Sequence, residues 1–295
     1  MMQPHRRAFF LGLFSACLPA QDTPKWADVQ IEAVANGYRF TEGPAWSRDG
    51  FLLFSDVPNN RILKYSPGKG VSVFRQNSNG ANGNVFDLVG RLYTCESRTR
   101  RVIRTLKNGD VEVLAERWEG KRLNAPNDIV VRRDGHIYFT DPAFGEQADT
   151  RELDFYGVYH IDPKGGMSLI AKPAGRPNGI ALTGNGRILY VANSDEHNVR
   201  AYDLDHKGDA SGERVAISGI DGVPDGIRTD VKGNVYVTAN GIPIYNPQGK
   251  LLSTIPLSET PANCAFGDPD LQSLYITART TLYRVRLDVK GAVQY

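Results

Sequence analysis

Cysteine, histidine and excess charge of either sign are all scarce in this sequence. Its 295 residues include 3 cysteines and 5 histidines, and none of them stands at the spacing of a zinc or iron–sulfur site. Lysine and arginine total 35 against 33 acidic residues, so the formal net charge is +2. This balance predicts neither a nucleic-acid surface nor an acidic tail. Cys95 and Cys264 form no framework, so the fold is not expected to depend on disulfides.

No apolar run near the N-terminus is long enough to span a bilayer. The run at residues 8–16 follows an arginine pair, and the string RRAFF resembles a bacterial twin-arginine export signal. We therefore predict that residues 1–25 are an export signal, with cleavage after Ala20. A lipoprotein interpretation would place lipid on Cys17, although the preceding residues fit that pattern poorly. The mature domain, residues 26–295, is expected to be periplasmic or secreted, with no membrane span.

A repeat runs through the rest of the chain. Six segments begin with a polar residue, usually continue with glycine, and end in a short apolar run; their first residues lie 38 to 51 positions apart. We call these first residues the heads of the repeat. The heads are Glu42, Asn82, Asn127, Asn178, Asp225 and Asn263.

Each head is followed by a second, third and in most cases fourth apolar stretch of strand length, separated by Asp-Gly and Asn-Gly turns. The sixth unit lacks its fourth stretch, and residues 29–34 supply a matching one before the first head. An N-terminal strand that completes the last unit would close a ring and remove both exposed edges. The sequence therefore predicts an all-β, six-bladed β-propeller with four antiparallel strands per blade. A pair of β-sandwich domains would not explain the period.

In a propeller the first strand of each blade lies nearest the axis, so the six heads should meet at one mouth of the central channel. All six carry a side-chain oxygen, and Glu42 and Asp225 are carboxylates. Two carboxylates beside an axis are costly unless a cation neutralises them. An all-oxygen set favours a hard dication, and amide ligands in a loose ring favour Ca²⁺, with Zn²⁺, Mn²⁺ or Mg²⁺ as possible substitutes. The alternative is an Asn/Asp network that ties the inner strands together.

The loops between second and third strands should open on the same mouth. They contribute Asp56, Glu96, Asp141, residues 193–197, Asn240 and Arg279. The loop at residues 141–157 is long enough to cover the mouth as a lid. His197 could act as a base there or be a solvated turn residue. The basic run at residues 98–104 could steer an anionic substrate or form the solvated face of a strand.

Several strings resemble the gluconolactonase, regucalcin (senescence marker protein) and luciferin-regenerating enzyme family, in particular its bacterial gluconolactonase branch. They are FTEGP (40–44), DVPNNR (56–61), GKRLNAPND (120–128), YFTDP (138–142), RPNG (176–179) and YITAR (275–279). The resemblance implies a six-bladed propeller with a divalent cation held by Glu42, Asn127, Asn178 and Asp225. It also implies Asp225 as the general base. Where the regucalcin branch has a sugar-binding arginine, this sequence has Ala125, so its substrate contacts are expected to differ.

Together these observations predict a metal-dependent hydrolase that opens a sugar lactone. Water adds to the lactone carbonyl, and Asp225 acts as the base or as the nucleophile. The expected partner is a small lactone or sugar acid, and the expected oligomeric state is a monomer or weak dimer. A related phosphotriesterase or aryl-ester lactonase, or a non-catalytic binding propeller, are the alternatives. The candidate substrate-binding residues are Asn82, Glu96, Asn124, Asp141, Asn263 and Arg279.

Overall fold

The computed structural model describes Trp26 and residues 29–294, without the side chain of Glu146. The predicted export signal, residues 1–25, lies outside the described residues. The chain begins with strand β1 (Ile31–Asn36), which belongs to the last blade. Six four-stranded antiparallel sheets form the blades, in the order that the repeat predicts. The sixth sheet contains β1.

The first three blades are built from consecutive strands. They comprise β2 (Thr41–Ser47), β3 (Phe51–Asp56), β4 (Arg61–Ser66), β5 (Gly70–Gln76); β6 (Ala81–Phe86), β7 (Leu92–Glu96), β8 (Arg101–Thr105), β9 (Val111–Ala115); and, after a hairpin of β10 (Arg117–Trp118) and β11 (Lys121–Arg122), β12 (Ile129–Val131), β13 (Ile137–Asp141), β14 (Gly157–Ile161) and β15 (Met167–Ala171).

The last three blades follow the same plan, and the sixth uses β1 as its fourth strand. They comprise β16 (Pro177–Leu182), β17 (Ile188–Asn193), β18 (Asn198–Leu204), β19 (Ala210–Ile217); β20 (Ile227–Thr229), β21 (Val235–Val237), β22 (Ile242–Tyr245), β23 (Leu251–Ile255); and β24 (Pro261–Gly267), β25 (Ser273–Ala278) and β26 (Thr281–Arg286).

The blades close into a ring around a central axis. The inner strand β2 contacts the inner strands β6 and β24, and contacts continue from β6 through β12, β16 and β20 to β24. β1 pairs with β26 in antiparallel register, with Ile31 opposite Val285, and Glu32 forms an ion pair with Arg284 at 2.7 Å. The predicted closure of the last blade by an N-terminal strand is therefore confirmed.

The hydrophobic core lies between successive blades. The second strands β7, β13, β21 and β25 each bury a tyrosine at 1% exposure or less: Tyr93, Tyr138, Tyr236 and Tyr275. Tyr275 stacks on Trp46 of the next blade, with ring centroids 5.6 Å apart. Such large aromatic side chains supply much of the apolar surface buried between sheets. Cys95 and Cys264 are buried and free.

Two elements outside the blades were not predicted. The hairpin β10–β11 precedes the third blade, and the helix α1 (Glu146–Asp149) lies within the 141–157 loop. After the helix, two apolar side chains of this loop pack against the protein: Phe155 lies beneath the Lys172 ammonium at 4.1 Å, and Leu153 is 4% exposed. The flanking Glu152 and Asp154 are exposed. In the described part of the chain, no helix is long and apolar enough to cross a membrane.

The C-terminal segment crosses the mouth of the channel opposite the heads. The Ala292 amide donates to the Thr229 carbonyl at 2.9 Å, and the Gln294 side chain donates to the Thr183 carbonyl at 2.9 Å. With Val293 this segment closes an apolar cavity of about 80 Å³ on the axis. On the side of the heads, a solvent-accessible pocket is lined by Asp225 and the exposed Arg279.

Candidate active site

The heads are held at the axis by contacts that recur from blade to blade. A hydroxyl near the end of a second strand donates to a carbonyl at the head of the next blade, as from Ser55 to Asn82 at 2.8 Å and from Thr140 to Asn178 at 2.7 Å. Glycine follows a head where neighbouring inner strands nearly touch: a Cβ on Gly43 (φ +49°) would lie 1.9 Å from the Asn82 carbonyl oxygen. The head-plus-glycine pattern therefore reflects close packing of backbones around the axis.

Glu42 is a buried carboxylate at this axis, with 3% exposure. Its Oε2 accepts hydrogen bonds from the Gly43 amide at 2.8 Å and from Asn263 Nδ2 at 3.1 Å. Burial raises the pKa of Glu42, the Gly43 hydrogen bond opposes this, and the negative charge of Asp128 adds to the rise. Asn263 therefore orients Glu42, and the direct substrate contact predicted for this amide stays a prediction.

Asp225 is the second carboxylate head and reaches the open mouth. It lines a pocket of about 490 Å³ together with Phe40, Asn240 and Arg279. Desolvation, followed by the negative charge of Glu42, raises the pKa of Asp225 well above its ordinary value. Each carboxylate thus lies close enough to another axial negative charge to be destabilised in its ionised form.

Two amide heads present oxygen atoms that the protein itself does not use. Asn178 Nδ2 donates to Ser194 Oγ at 3.0 Å, and Ser194 Oγ donates to the Pro224 carbonyl at 2.8 Å. This chain of bonds fixes the orientation of the Asn178 carboxamide, and its Oδ1 is buried with no hydrogen-bond partner. Asn82 Oδ1 is also buried without a partner. Asn127, the other amide of the predicted metal set beside Asn178, is 7% exposed.

These donors fit a hard cation. Carboxylates of raised pKa and buried, unpaired amide oxygens are each costly alone, and a dication would satisfy both. Within the described residues no three His, Cys, Asp or Glu side chains cluster at metal-binding distance. A metal held here would therefore depend on the Asn178 and Asn127 amides as well as on the two carboxylates Glu42 and Asp225.

Asp128 and Arg228 are axial residues that the sequence prediction missed. Asp128 is fully buried, and its Oδ2 accepts a hydrogen bond from Arg228 Nη1 at 3.2 Å. The same nitrogen donates to the carbonyl of Ile227 at 2.6 Å. Both residues break the repeat: Asp128 stands where four other units have glycine, and Arg228, three residues after its head, stands where the other five units have Ala, Val or Phe. These two departures from the repeat are the sequence signal that could have identified both residues.

Three predicted substrate contacts are buried in structural networks. The Glu96 carboxylate is fully buried and accepts from Arg75 and Arg101, each at 2.6 Å. The Asp141 carboxylate accepts from the backbone amides of Asn124 and of the following residue, each at 2.8 Å. Asn124 is also fully buried and donates to the Asp141 carbonyl at 3.1 Å. Burial raises the pKa of Asp141 to about 7, against these two amide bonds.

Arg279 and His197 lie on the accessible rim of the same mouth. Arg279 is exposed, lines the pocket beside Asp225, and places its guanidinium 5.8 Å from the Phe40 ring centroid. His197 is exposed, and its Nδ1 lies 2.6 Å from the carbonyl oxygen of Gly222. Of the predicted substrate contacts, Arg279 is the one placed in the open pocket, and Asn82 lies at the axis.

A six-bladed propeller with an acidic, amide-lined site at the open end of its axis defines the class of this protein. The chain belongs to the family described as the SMP-30/Gluconolactonase/LRE-like region, whose model matches residues 40–280.

Individual relatives agree with this assignment. A gluconolactonase of Zymomonas mobilis is 33% identical over 95% of this chain and 88% of its own length. The solved structure of a gluconolactonase from Xanthomonas campestris is 33% identical, covers 88% of this chain and 90% of that chain, and has a TM-score of 0.82. A diisopropyl-fluorophosphatase of Loligo vulgaris is 25% identical over 86% of this chain and 91% of its own length.

Proposed function

We propose that this protein hydrolyses a sugar lactone at the axial site, and that its cofactor is one divalent cation, with Ca²⁺ preferred over other divalent metals. One observation carries the proposal. Two axial carboxylates with raised pKa values, Glu42 and Asp225, occur together with a buried Asn178 oxygen that has no hydrogen-bond partner. The family and its gluconolactonase relatives support the reaction class.

Glu42, Asn127, Asn178 and Asp225 would hold the cation. When bound there, the cation supplies Lewis-acid polarisation of the lactone carbonyl oxygen, on which negative charge develops as water adds. The protein contributes an orienting shell: Asn263 fixes Glu42, and Ser194 fixes Asn178. Ligands held in this way need little reorganisation during the reaction.

Asp225 is the proposed general base. It is the axial carboxylate that lines the open pocket, whereas Glu42 is 3% exposed and held by two hydrogen bonds. An Asp225 carboxylate oxygen takes a proton from the attacking water while the new C–O bond forms at the lactone carbonyl. The ring C–O bond then breaks, the alkoxide leaving group receives a proton from solvent through the open mouth, and Asp225 releases its proton to solvent, which restores the carboxylate. Water and lactone are thus converted into one hydroxy acid.

The decisive experiment measures hydrolysis of glucono-1,5-lactone above its spontaneous rate, before and after chelation. Activity that disappears with chelator and returns with added Ca²⁺ supports both the reaction and the cofactor. A thermal-unfolding shift on adding Ca²⁺ reads out the metal independently of turnover. Metal-loaded protein that opens no lactone would refute the reaction, and full activity in chelated protein of verified low metal content would refute the cofactor.

Phosphotriester hydrolysis is a second candidate, favoured by the similarity to a diisopropyl-fluorophosphatase along most of both chains. The same axial arrangement could polarise a phosphoryl oxygen in place of a carbonyl. Parallel assays with diisopropyl fluorophosphate and glucono-1,5-lactone separate the two: the reaction with the larger kcat/KM is the primary one.

A further inference from the structure

A group of arginines meets on the same face of the propeller as the active-site mouth. Arg98 and Arg100 lie in the loop between β7 and β8, and Arg122 ends β11. With Gln147 and Thr150 of the 141–157 loop they line a pocket of about 480 Å³. A ligand in this pocket meets three guanidinium groups, an amide and a hydroxyl, and none of these lining residues is a carboxylate.

Arg100 is built into this pocket without a carboxylate in direct contact. Arg100 is 6% exposed. Its Nη1 donates to the carbonyls of Leu123 and Asn124 at 3.4 and 2.6 Å, and its Nη2 donates to the Gln147 carbonyl and Thr150 Oγ1 at 3.4 and 2.5 Å. All four acceptors are neutral. Burial, followed by the positive charge of Arg122, lowers the pKa of Arg100. Arg122 is paired with Glu152, so Arg100 is the guanidinium here that is buried with no carboxylate in contact, and such a charge is costly unless an anion offsets it.

The carboxylates nearest to Arg100 are bound to other groups. Asp141 and Glu152 are the carboxylates whose charges act on Arg100. The Asp141 oxygens accept from two backbone amides, and Glu152 pairs with Arg122. Arg98 is exposed, and it donates to the Pro58 carbonyl at 3.4 Å. By contrast, Arg101 and Arg104 of the same basic run are bound to Glu96 and Glu112.

A short stretch of chain connects the arginine pocket to the axial site. Arg100 binds the carbonyl of Asn124, which precedes the axial head Asn127 by three residues. Three residues span at most about 11 Å when fully extended. The pocket adjoins the second and third blades, whereas the pocket lined by Asp225 lies at the fifth and sixth. A substrate with its carbonyl at the axis could therefore point a distal group away from Asp225 and toward the arginines.

We infer that the substrate is an anionic lactone, carrying a carboxylate or phosphate group on the carbon chain away from the ring carbonyl, that Arg98 and Arg122 bind this group, and that the buried charge of Arg100 attracts it. Planar guanidinium groups match both oxyanions through paired N–H donors. This inference rests on the proposed lactonase function and names its substrate class.

The test compares neutral glucono-1,5-lactone with 6-phosphoglucono-1,5-lactone and with a lactone of glucaric acid. Each is measured with the wild type, the double variant Arg98→Gln/Arg122→Gln and the control Arg187→Gln. Arg187 is an exposed arginine in the β16–β17 connection at the opposite mouth, so its change removes charge away from the pocket. Arg100 is left intact because it holds the Asn124 loop.

We expect the wild type to prefer at least one anionic lactone, and the double variant to lose that preference through KM by a factor on the order of 10–100, the usual worth of charge-assisted hydrogen bonds. Hydrolysis of the neutral lactone should be unchanged in both variants. The phosphate and carboxylate arms show which oxyanion is bound. Equal kcat/KM for neutral and anionic lactones, or an equal loss on all three in the double variant, would overturn the inference while leaving lactonase activity in place.

A binding measurement keeps the inference separate from catalysis. Calorimetry compares the hydroxy acids 6-phosphogluconate, glucarate and gluconate in wild-type protein and in the double variant. Tighter binding of an acid with the added anionic group, lost in the double variant, supports the pocket even if no lactone is turned over. Indistinguishable affinities for all three acids in wild type would count against it.

Discussion

Arg228 and Asp128, from the fifth and third blades, form a hydrogen-bonded ion pair on the propeller axis, with Nη1 and Oδ2 3.2 Å apart. The Asp128 side chain is fully buried, and that of Arg228 is 16% exposed. The pair adds one positive and one negative charge beside Glu42 and Asp225, so the axial carboxylates still outnumber the cationic groups by two. A single bound dication would balance them.

Arg228→Met tests this balance. Removing one partner of a buried ion pair leaves Asp128 uncompensated, so we expect the metal-free protein to lose about 3–5 kcal/mol of unfolding free energy. The axis becomes more negative, and Ca²⁺ should therefore raise the melting temperature of the variant more than that of the wild type. Thermal unfolding with and without Ca²⁺ checks both effects. Arg187→Met is the control, and an Arg228→Met protein with wild-type melting behaviour would show that the pair has no such role.

The repeat made the fold predictable because each unit encodes the same four strands and the same close approach at its head. Strand limits were less well determined: the closing strand was predicted at residues 29–34 and is found at Ile31–Asn36. The hairpin β10–β11 and helix α1 have no counterpart in the other units, so a periodic pattern could not predict them. Export of the chain stays a prediction, since the relevant residues lie outside the described part.

The site was only partly predictable, because side-chain direction and long-range pairing are not encoded in spacing. Asp128 and Arg228 are 100 residues apart, and only folding brings them together. Glu96 and Asp141 end second strands at the mouth, yet their carboxylates turn to bind neighbouring arginines or backbone amides. A carboxylate at a loop can face solvent or turn to an internal partner, and which it does depends on the side chains that neighbouring blades place beside it.

Deleting residues 29–36 should disrupt the last blade. The deletion removes β1, exposes the edge of β26, and leaves the ring without its closing pairs. We expect aggregation or a large fall in melting temperature, measured by size-exclusion chromatography and thermal unfolding. Glu32→Gln is the control: it removes only the ion pair with Arg284 at an exposed site, which is worth less than about 1 kcal/mol. A truncated protein that melts like the full chain would contradict the role of β1.

The buried pair His136 and His160 should make stability depend on pH. Their ring nitrogens lie 2.7 Å apart, and burial lowers the pKa of both rings, in His160 with the added effect of the His136 charge. The folded state therefore favours the neutral rings. Their contribution to stability is complete above the unfolded pKa of about 6.5 and is lost as the pH falls below it.

Melting temperatures between pH 8 and pH 5 measure this dependence. His160→Phe keeps a ring stacked on Tyr138 but removes one titrating group, so its melting temperature should start lower and fall less steeply with acid. His206→Gln is the control, because His206 is exposed. An unchanged acid slope in His160→Phe would exclude the pair as its source.

Asp225→Asn separates the role of base from the role of metal ligand. The amide nearly keeps the shape of the carboxylate but removes a negative charge and cannot accept the proton. We expect weaker Ca²⁺ binding, and a loss in kcat on the order of 10²–10⁴-fold that persists at saturating Ca²⁺, the usual worth of general base catalysis. Metal content and initial rates across a Ca²⁺ titration provide the measurement.

The matched variants are Asn127→Ala and Asn178→Ala, because an amide ligand cannot serve as a base. Excess Ca²⁺ should restore much of their activity, whereas Asp225→Asn should remain impaired. Full rescue of Asp225→Asn by metal would move the proton acceptor to another group. Because Glu96 and Asp141 are fully buried, the exposed His197 on the same rim would then be the next residue to replace.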